Sequence, residues 1–178
     1  MEDLTRLIIS HERIENIKNN YIELTNEETH YINKVMRIKN GKEIFIGNGE
    51  GSLWKAIKVK NNCLEISQLK KPYLFQEQKI YLLGIAVVIP KSGFEDILKM
   101  CTEIGIDLIQ PLFSERQVNK NLNISRKLLR WNSIIKEAVE QSERLWKPSI
   151  LNGMDIICLL YTSPSPRDIS GSRMPSSA

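Results

Sequence analysis

The chain has 178 residues, 42% of them hydrophobic, and its 25 Lys and Arg exceed its 21 Asp and Glu, leaving a formal charge of +4. Such a chain is globular and holds one ordinary domain or two small ones, and the mild positive excess permits a nucleic-acid partner without demanding one. Cys63, Cys101 and Cys158 form no Cys-x-x-Cys pair, so they suggest neither a zinc site nor a disulfide framework and are expected to be reduced core residues.

The first residues, MEDLTRLIISHERIENIK, carry charges where a signal peptide needs an apolar region. The most apolar run, IYLLGIAVVI from Ile80 to Ile89, is about half of the roughly twenty residues that span a bilayer. A soluble cytoplasmic protein without membrane segment or metal is therefore expected.

Residues 1–72 read as a strand-rich unit. RLIIS is followed by a helix and then by EIFIG, SLWKAIKV and CLEISQL between turn clusters, a pattern that predicts a small barrel. Thr25 with Glu28 three residues later forms a capping-box signal, and the helix it opens is expected to run to about Arg37. On that helix His30, Lys34 and Arg37 share one side, Ile32, Val35 and Met36 turn toward the barrel, and Lys39 and Lys42 extend the cationic patch. Positive charge gathered there suits phosphate contacts, although a solvated basic face has the same sequence signature. GNGEG lies between two strands with no helix behind it, so it reads as a hairpin loop and not a dinucleotide site.

Pro72 and the polar stretch after it mark a boundary, and residues 78–158 change period. Ile80 to Ile89 is the continuous apolar run of a parallel strand covered on both faces, Gly93 to Ile104 is a helix closed by Gly105, and IDLIQPLF is a second strand. A long helix is predicted from Ser125 to about Trp146, and SILNGMDIIC is expected to begin a third strand. Strand, helix, strand, helix predicts an α/β unit with parallel strands. Lys91 and the run Ser114, Glu115, Arg116 fall at the carboxyl ends of these strands, where open α/β sheets place ligands. Glu103, in the last turn of its helix, is expected to need a cationic partner. The long helix sets Leu128, Trp131, Ile135, Ala138, Val139 and Trp146 on one face and Arg126, Arg130, Glu137, Gln141 and Arg144 on the other. Residues 159–178, rich in serine and proline, look unstructured and foreign to the body, like translated vector sequence.

Four motifs in order carry a resemblance: HYINKVMRIKNGKEI (30–44), IPKSGFEDILKMCTEIGIDLIQP (89–111), SER (114–116) and RWNSIIKEAVEQSERLWKP (130–148). Together they resemble the RsmE family of 16S ribosomal RNA uracil-N3 methyltransferases of the SPOUT class. The resemblance implies a PUA-like RNA-binding barrel joined to a parallel α/β domain with a C-terminal knot, S-adenosylmethionine as methyl donor, 16S rRNA or the small ribosomal subunit as partner, and a homodimer. It casts Lys34 and Arg37 as RNA contacts, within the basic patch that also holds His30, Lys39 and Lys42, and Lys91, Arg116, Glu137, Gln141 and Arg144 as residues lining or bracing the catalytic cleft. The family's Gly-Pro-Glu-Gly-Gly knot loop has no counterpart near residue 160, so the chain is expected to be truncated before the knot, to lack the cofactor pocket and to be inactive, and no cofactor-binding residue is assigned. An RNA-binding module without catalysis is the alternative expectation.

Overall fold

In the computed structural model, residues 5–17, 19–60, 62–114 and 124–162 are described. Two sheets form, each with its own apolar core.

The first sheet contains β1 (Arg6–Ile8), β2 (Tyr21–Glu23), β3 (Glu43–Gly47), β4 (Ser52–Lys60), β5 (Cys63–Ile66) and β6 (Leu74–Phe75). Their order is β1-β3-β4-β5-β2, with β6 against β4; β1 runs parallel to β3 and the other pairs are antiparallel. Among the described residues no β1–β2 pairing closes this path, so the strands of the expected small barrel are not joined into a complete hydrogen-bonded ring. Alternation along the strands brings Leu7, Ile44, Ile46, Trp54, Ala56, Leu64 and Ile66 to one core. A short helix α1 (His11–Glu15), which sequence patterning did not reveal any more than it did β2 and β6, adds Ile14.

The capping box is present: Thr25 Oγ1 accepts from the Glu28 amide at 3.2 Å and the Glu28 carboxylate accepts from the Thr25 amide at 2.9 Å. The helix it opens, α2 (Asn26–His30), does not continue as α-helix to Arg37. Tyr31–Val35 widens into a π-helical turn, in which the Met36 amide donates to the Tyr31 carbonyl at 2.9 Å. The wider turn breaks the 3.6-residue period, so Ile32 is buried while Val35 and Met36 are exposed, against the expectation that all three face inward.

The second sheet has four parallel strands: β7 (Gly84–Val88), β8 (Leu108–Phe113), β9 (Ser149–Ile150) and β10 (Met154–Asp155). β9 pairs with the start of β8 and β10 with its end, so the third strand is made in two pieces along one edge. The Gln110 side chain spans the interruption by donating to the Asn152 carbonyl at 2.8 Å. β7 is shorter than the apolar run that contains it. Ile80, Tyr81, Leu82 and Leu83 are exposed, and only Ile85 and Val87 within the strand pack on the core, so one face is covered and not two.

Helix α3 (Phe94–Ile104) joins β7 to β8 and ends on Gly105 at φ 94°, the left-handed cap its position predicts. Helix α4 (Ile124–Gln141) lays Trp131, Ile134, Ile135 and Val139 against Phe94, Leu98 and Cys101 of α3. It stops five residues short of Trp146, because Glu143 takes a left-handed φ of 59° and the chain turns toward the first sheet. Helix α5 (Ile156–Thr162) includes Leu159 to Thr162, which were expected to be structureless; residues 163–178 lie outside the described set. Cys101 is buried, Cys63 half-buried and Cys158 exposed, so the last is no core residue.

The two units meet along a dense seam. Ile8 of β1 belongs to the core of the second unit. The GNGEG hairpin docks against the turn after α4: the Lys147 amide donates to the Gly49 carbonyl at 2.8 Å and the Gly51 amide to the Leu145 carbonyl at 2.9 Å.

Candidate functional site

The strands of the second sheet run parallel and in register, with Val88 opposite Leu112 and Phe113 opposite Asp155. Their carboxyl ends therefore open on one side. There a cleft of about 550 Å³ is lined by Pro90, Lys91, Ser92, Asp96, Arg126 and Lys127, among others. Arg130 and Glu95 pair at its rim, with Nε to Oε1 at 2.5 Å and Nη2 to Oε2 at 2.9 Å. With that pair neutralised, Lys91, Arg126 and Lys127 leave the cleft positive against Asp96. Glu115 and Arg116 fall outside the described residues.

Arg144 lies at the opposite end of the sheet. Its guanidinium lies against Gly105, where a Cβ would come within 2.5 Å of Nη1, and so sits at the C-terminus of α3, where positive charge complements the helix dipole. It also faces Asp107. Burial works to raise the Asp107 pKa, but the Leu83 amide, Lys79 and Arg144 outweigh it and hold the carboxyl below its usual range. Glu103 itself is exposed and has no ion pair among the described residues; the cations that serve this helix end are Arg144 and Lys79, whose Nζ is 3.4 Å from the Gly105 carbonyl.

Glu137 occupies a third place. It lines a groove of about 460 Å³ between the units, with His30, Tyr31 and Val35 on one wall and Ser133, Lys136 and Glu140 on the other. The structure thus joins Glu137 to His30, and separates both from Lys91 and from Arg144. Gln141 is exposed at the end of α4.

Glu140 did not stand out in the sequence. It is buried at 8% exposure, accepts from the Ile8 amide at 2.8 Å and takes a hydrogen bond from the Tyr31 hydroxyl. Burial pushes its carboxyl above the ordinary glutamate range despite these donors. Its position beside Val139, on the flank of the apolar face of α4, was the available signal.

His30, Lys34, Arg37, Lys39 and Lys42 are all exposed, on the segment that runs from the end of α2 to the start of β3. Within it Arg37 takes a left-handed φ of 52°, an uncommon conformation for a residue with a Cβ. Non-glycine residues in such conformations persist where surrounding structure fixes them, often at functional sites.

Family models match over both units: an RNA methyltransferase domain over residues 76–166 and an RNA methyltransferase PUA domain over residues 24–57. The chain belongs to the RsmE family of RNA methyltransferases. It is 34% identical over 146 residues to ribosomal RNA small subunit methyltransferase E of Synechocystis sp., covering 82% of this chain and 46% of that protein. It is 31% identical over 139 residues to the protein of the same name from Buchnera aphidicola subsp. Schizaphis graminum, covering 75% and 56%. The chain therefore spans about half the length of these curated relatives. Its fold is shared with a ribosomal RNA small subunit methyltransferase E from Neisseria gonorrhoeae bound to S-adenosyl methionine, at a TM-score of 0.71 and 22% identity over 91% of this chain and 66% of that one. A Legionella pneumophila putative methyltransferase in complex with the same cofactor aligns at a TM-score of 0.72 and 20% identity over 92% and 68%.

The lining of the cleft at the carboxyl ends favours the anionic groups of a ligand over its cationic ones. A sulfonium carries positive charge, and Lys91, Arg126 and Lys127 would repel it; the same lining suits phosphate or a developing oxyanion. Among the described residues no cluster of three metal-ligating side chains is present, and no helix is long and apolar enough to cross a membrane.

Proposed function

We propose that the protein grips 16S rRNA of the small ribosomal subunit for S-adenosylmethionine-dependent methylation of a uracil at N3. Residues 1–72 form the RNA-binding unit and residues 78–158 the first part of the methyltransferase domain. The observation that carries this reading is the exposed run His30, Lys34, Arg37, Lys39 and Lys42 on a unit matched by an RNA methyltransferase PUA family, joined to a parallel sheet whose strand ends carry cations. Phosphates would be held by the first group, which fixes the register of the RNA without reading its sequence.

Uracil N3 carries an imide proton, and its loss places negative charge on O2 and O4. Lys91, exposed at the end of β7, is suited to stabilise that charge, with Arg116 as a second candidate. Glu137, Gln141 and Arg144 serve as bracing residues, Arg144 by holding the C-terminus of α3. A homodimer is part of this reading, because the separation of Lys91 from Glu137 within one chain leaves room for a second copy to complete the site. The cytoplasm is the expected location.

A second reading, an RNA-binding module without catalysis, is favoured by the positive charge of the cleft, which disfavours the sulfonium. One experiment separates the two. The chain is mixed with small-subunit rRNA across a salt series, and transfer of a labelled methyl group from S-adenosylmethionine is followed in parallel. Binding that weakens steeply with salt, with label on uracil N3, supports the methyltransferase reading; the same binding without label supports the module. Salt-independent binding or none overturns both.

A further inference from the structure

Strand β4 places Trp54, Ala56 and Lys58 on its inward face. Trp54 and Ala56 belong to the apolar core, and Lys58, only 3% exposed, follows them into it. A buried ammonium needs acceptors. Lys58 Nζ donates to the Ile38 carbonyl at 2.6 Å and to Asn33 Oδ1, and among the described residues it has no carboxylate within ion-pair distance. Burial accordingly holds its pKa below the ordinary lysine range.

The backbone of the same residue is tied to the same segment. Its amide donates to the Lys42 carbonyl at 3.1 Å and its carbonyl accepts from the Gly41 amide at 2.7 Å. The β4–β5 register shifts between Lys58 and Lys60, a bulge of the kind that re-aims side chains. Lys58 therefore holds residues 33, 38, 41 and 42 at once. Asn33 lies inside the π-helical turn, and the left-handed Arg37 lies between the ties at Asn33 and Ile38. A methionine would fill the same core space without desolvating a charge, so packing alone does not call for lysine here. What the ammonium adds is a fixed conformation for the stretch above it.

We propose that Lys58 is the positioning residue of the RNA-gripping face: it locks residues 33–42 so that Lys34, Arg37, Lys39 and Lys42 stand at a fixed spacing toward successive phosphates. This rests on the reading of that face as an RNA contact. Lys58 itself does not touch RNA.

The test uses the whole chain and a fluorescein-labelled single-stranded oligouridylate, with affinity measured across a salt series at a temperature well below the melting transition. Lys58→Met is expected to lower affinity about tenfold and to flatten the salt slope by about 0.7 for each phosphate that is no longer neutralised, with Lys58→Arg recovering part of both. A merely structural lysine would lower Tm and leave the salt slope of the folded variant unchanged, which overturns the proposal. Asn33→Ala severs the same tie from the other partner, carries the same two expectations, and decides the matter if Lys58→Met does not fold. Alanine at Arg37 and Lys39 is the control. If it weakens binding while Lys58→Met and Asn33→Ala do not, the positioning role alone fails; if it too has no effect, the RNA reading of the face falls and takes the proposal with it.

Discussion

The Glu140 carboxylate, on helix α4, accepts a hydrogen bond at 2.8 Å from the backbone amide of Ile8 on β1, 132 residues away in the chain. This bond crosses the seam between the units, and it satisfies an amide that no strand pairs among the described residues. Glu140→Ala strands a buried donor and is expected to cost about 1–3 kcal/mol, whereas Glu140→Gln keeps an acceptor and should cost less than about 1 kcal/mol. The carboxyl is raised above its unfolded value chiefly by burial, so the folded protein binds this proton more tightly than the unfolded chain. Its contribution is fully present below the ordinary glutamate pKa and is lost as pH rises through the folded value. In urea denaturation the stability of the wild type relative to Glu140→Gln should fall as pH rises from acid to neutral; a difference that does not change with pH would refute it.

Glu28 has the opposite sign. Burial works to raise its pKa, but hydrogen bonds from Arg13 and the Thr25 amide, with the charges of Arg13 and Lys136, outweigh burial and lower it. Arg13 is bidentate on it at 2.6 and 3.1 Å. The stability it contributes is present above the ordinary glutamate value and is lost as pH falls through the lowered one. Arg13→Met should therefore destabilise the protein at neutral pH more than Glu28→Gln does, because it leaves a buried carboxylate with only the Thr25 amide and the more distant Lys136 to offset its charge. The two variants should converge in acid. Denaturation midpoints at both pH values check this.

Local rules carried far in this chain. The capping box at Thr25, the left-handed Gly105 and the strand-helix-strand order of residues 84–113 are all local patterns, and each stands in the structure. The π-helical turn was not legible, because the apolar positions Ile32, Val35 and Met36 fit an ordinary helix as well, and the contact that Lys58 makes with Asn33 inside the turn comes from 25 residues further along the chain. Ile80 to Leu83 misled for a related reason: hydrophobicity alone does not say whether an apolar run has a neighbour to cover it. Of the candidate site, the exposed cations were legible as a patch and Lys91 as a strand end. The separation of Lys91, Glu137 and Arg144 was not, since it depends on where α4 stops and how the hairpin docks.

That docking gives a third test. Gly51 has a φ of 91°, and a Cβ there would lie 2.3 Å from the Gln76 carbonyl oxygen and 2.9 Å from the Trp146 ring. Trp146 Nε1 in turn donates to the same Gln76 carbonyl at 3.0 Å. Gly51→Ala must both strain the backbone and open the seam, at an expected cost of about 2–3 kcal/mol. A Tm lowered by roughly 5–10 °C, with a red shift in tryptophan emission, is the expected result. An unchanged Tm would mean that the hairpin and the 145–147 turn do not pack together in solution.

The edge of the second sheet is open to a test of association. Among the described residues β7 pairs only with β8, and its other edge, with Ile80, Tyr81, Leu82 and Leu83 leading into it, is both apolar and exposed. Unpaired edges flanked by apolar side chains template intermolecular pairing, and a charged residue there blocks it. Ile80 and Tyr81 are 91% and 87% exposed, so Ile80→Lys with Tyr81→Lys should change unfolding free energy by no more than about 0.5 kcal/mol. Light scattering at matched concentration should nevertheless fall, because the substitutions act on association and not on the fold. Equal scattering by wild type and double variant would show that this edge does not drive self-association, and a loss of stability would show that the two side chains are covered in solution.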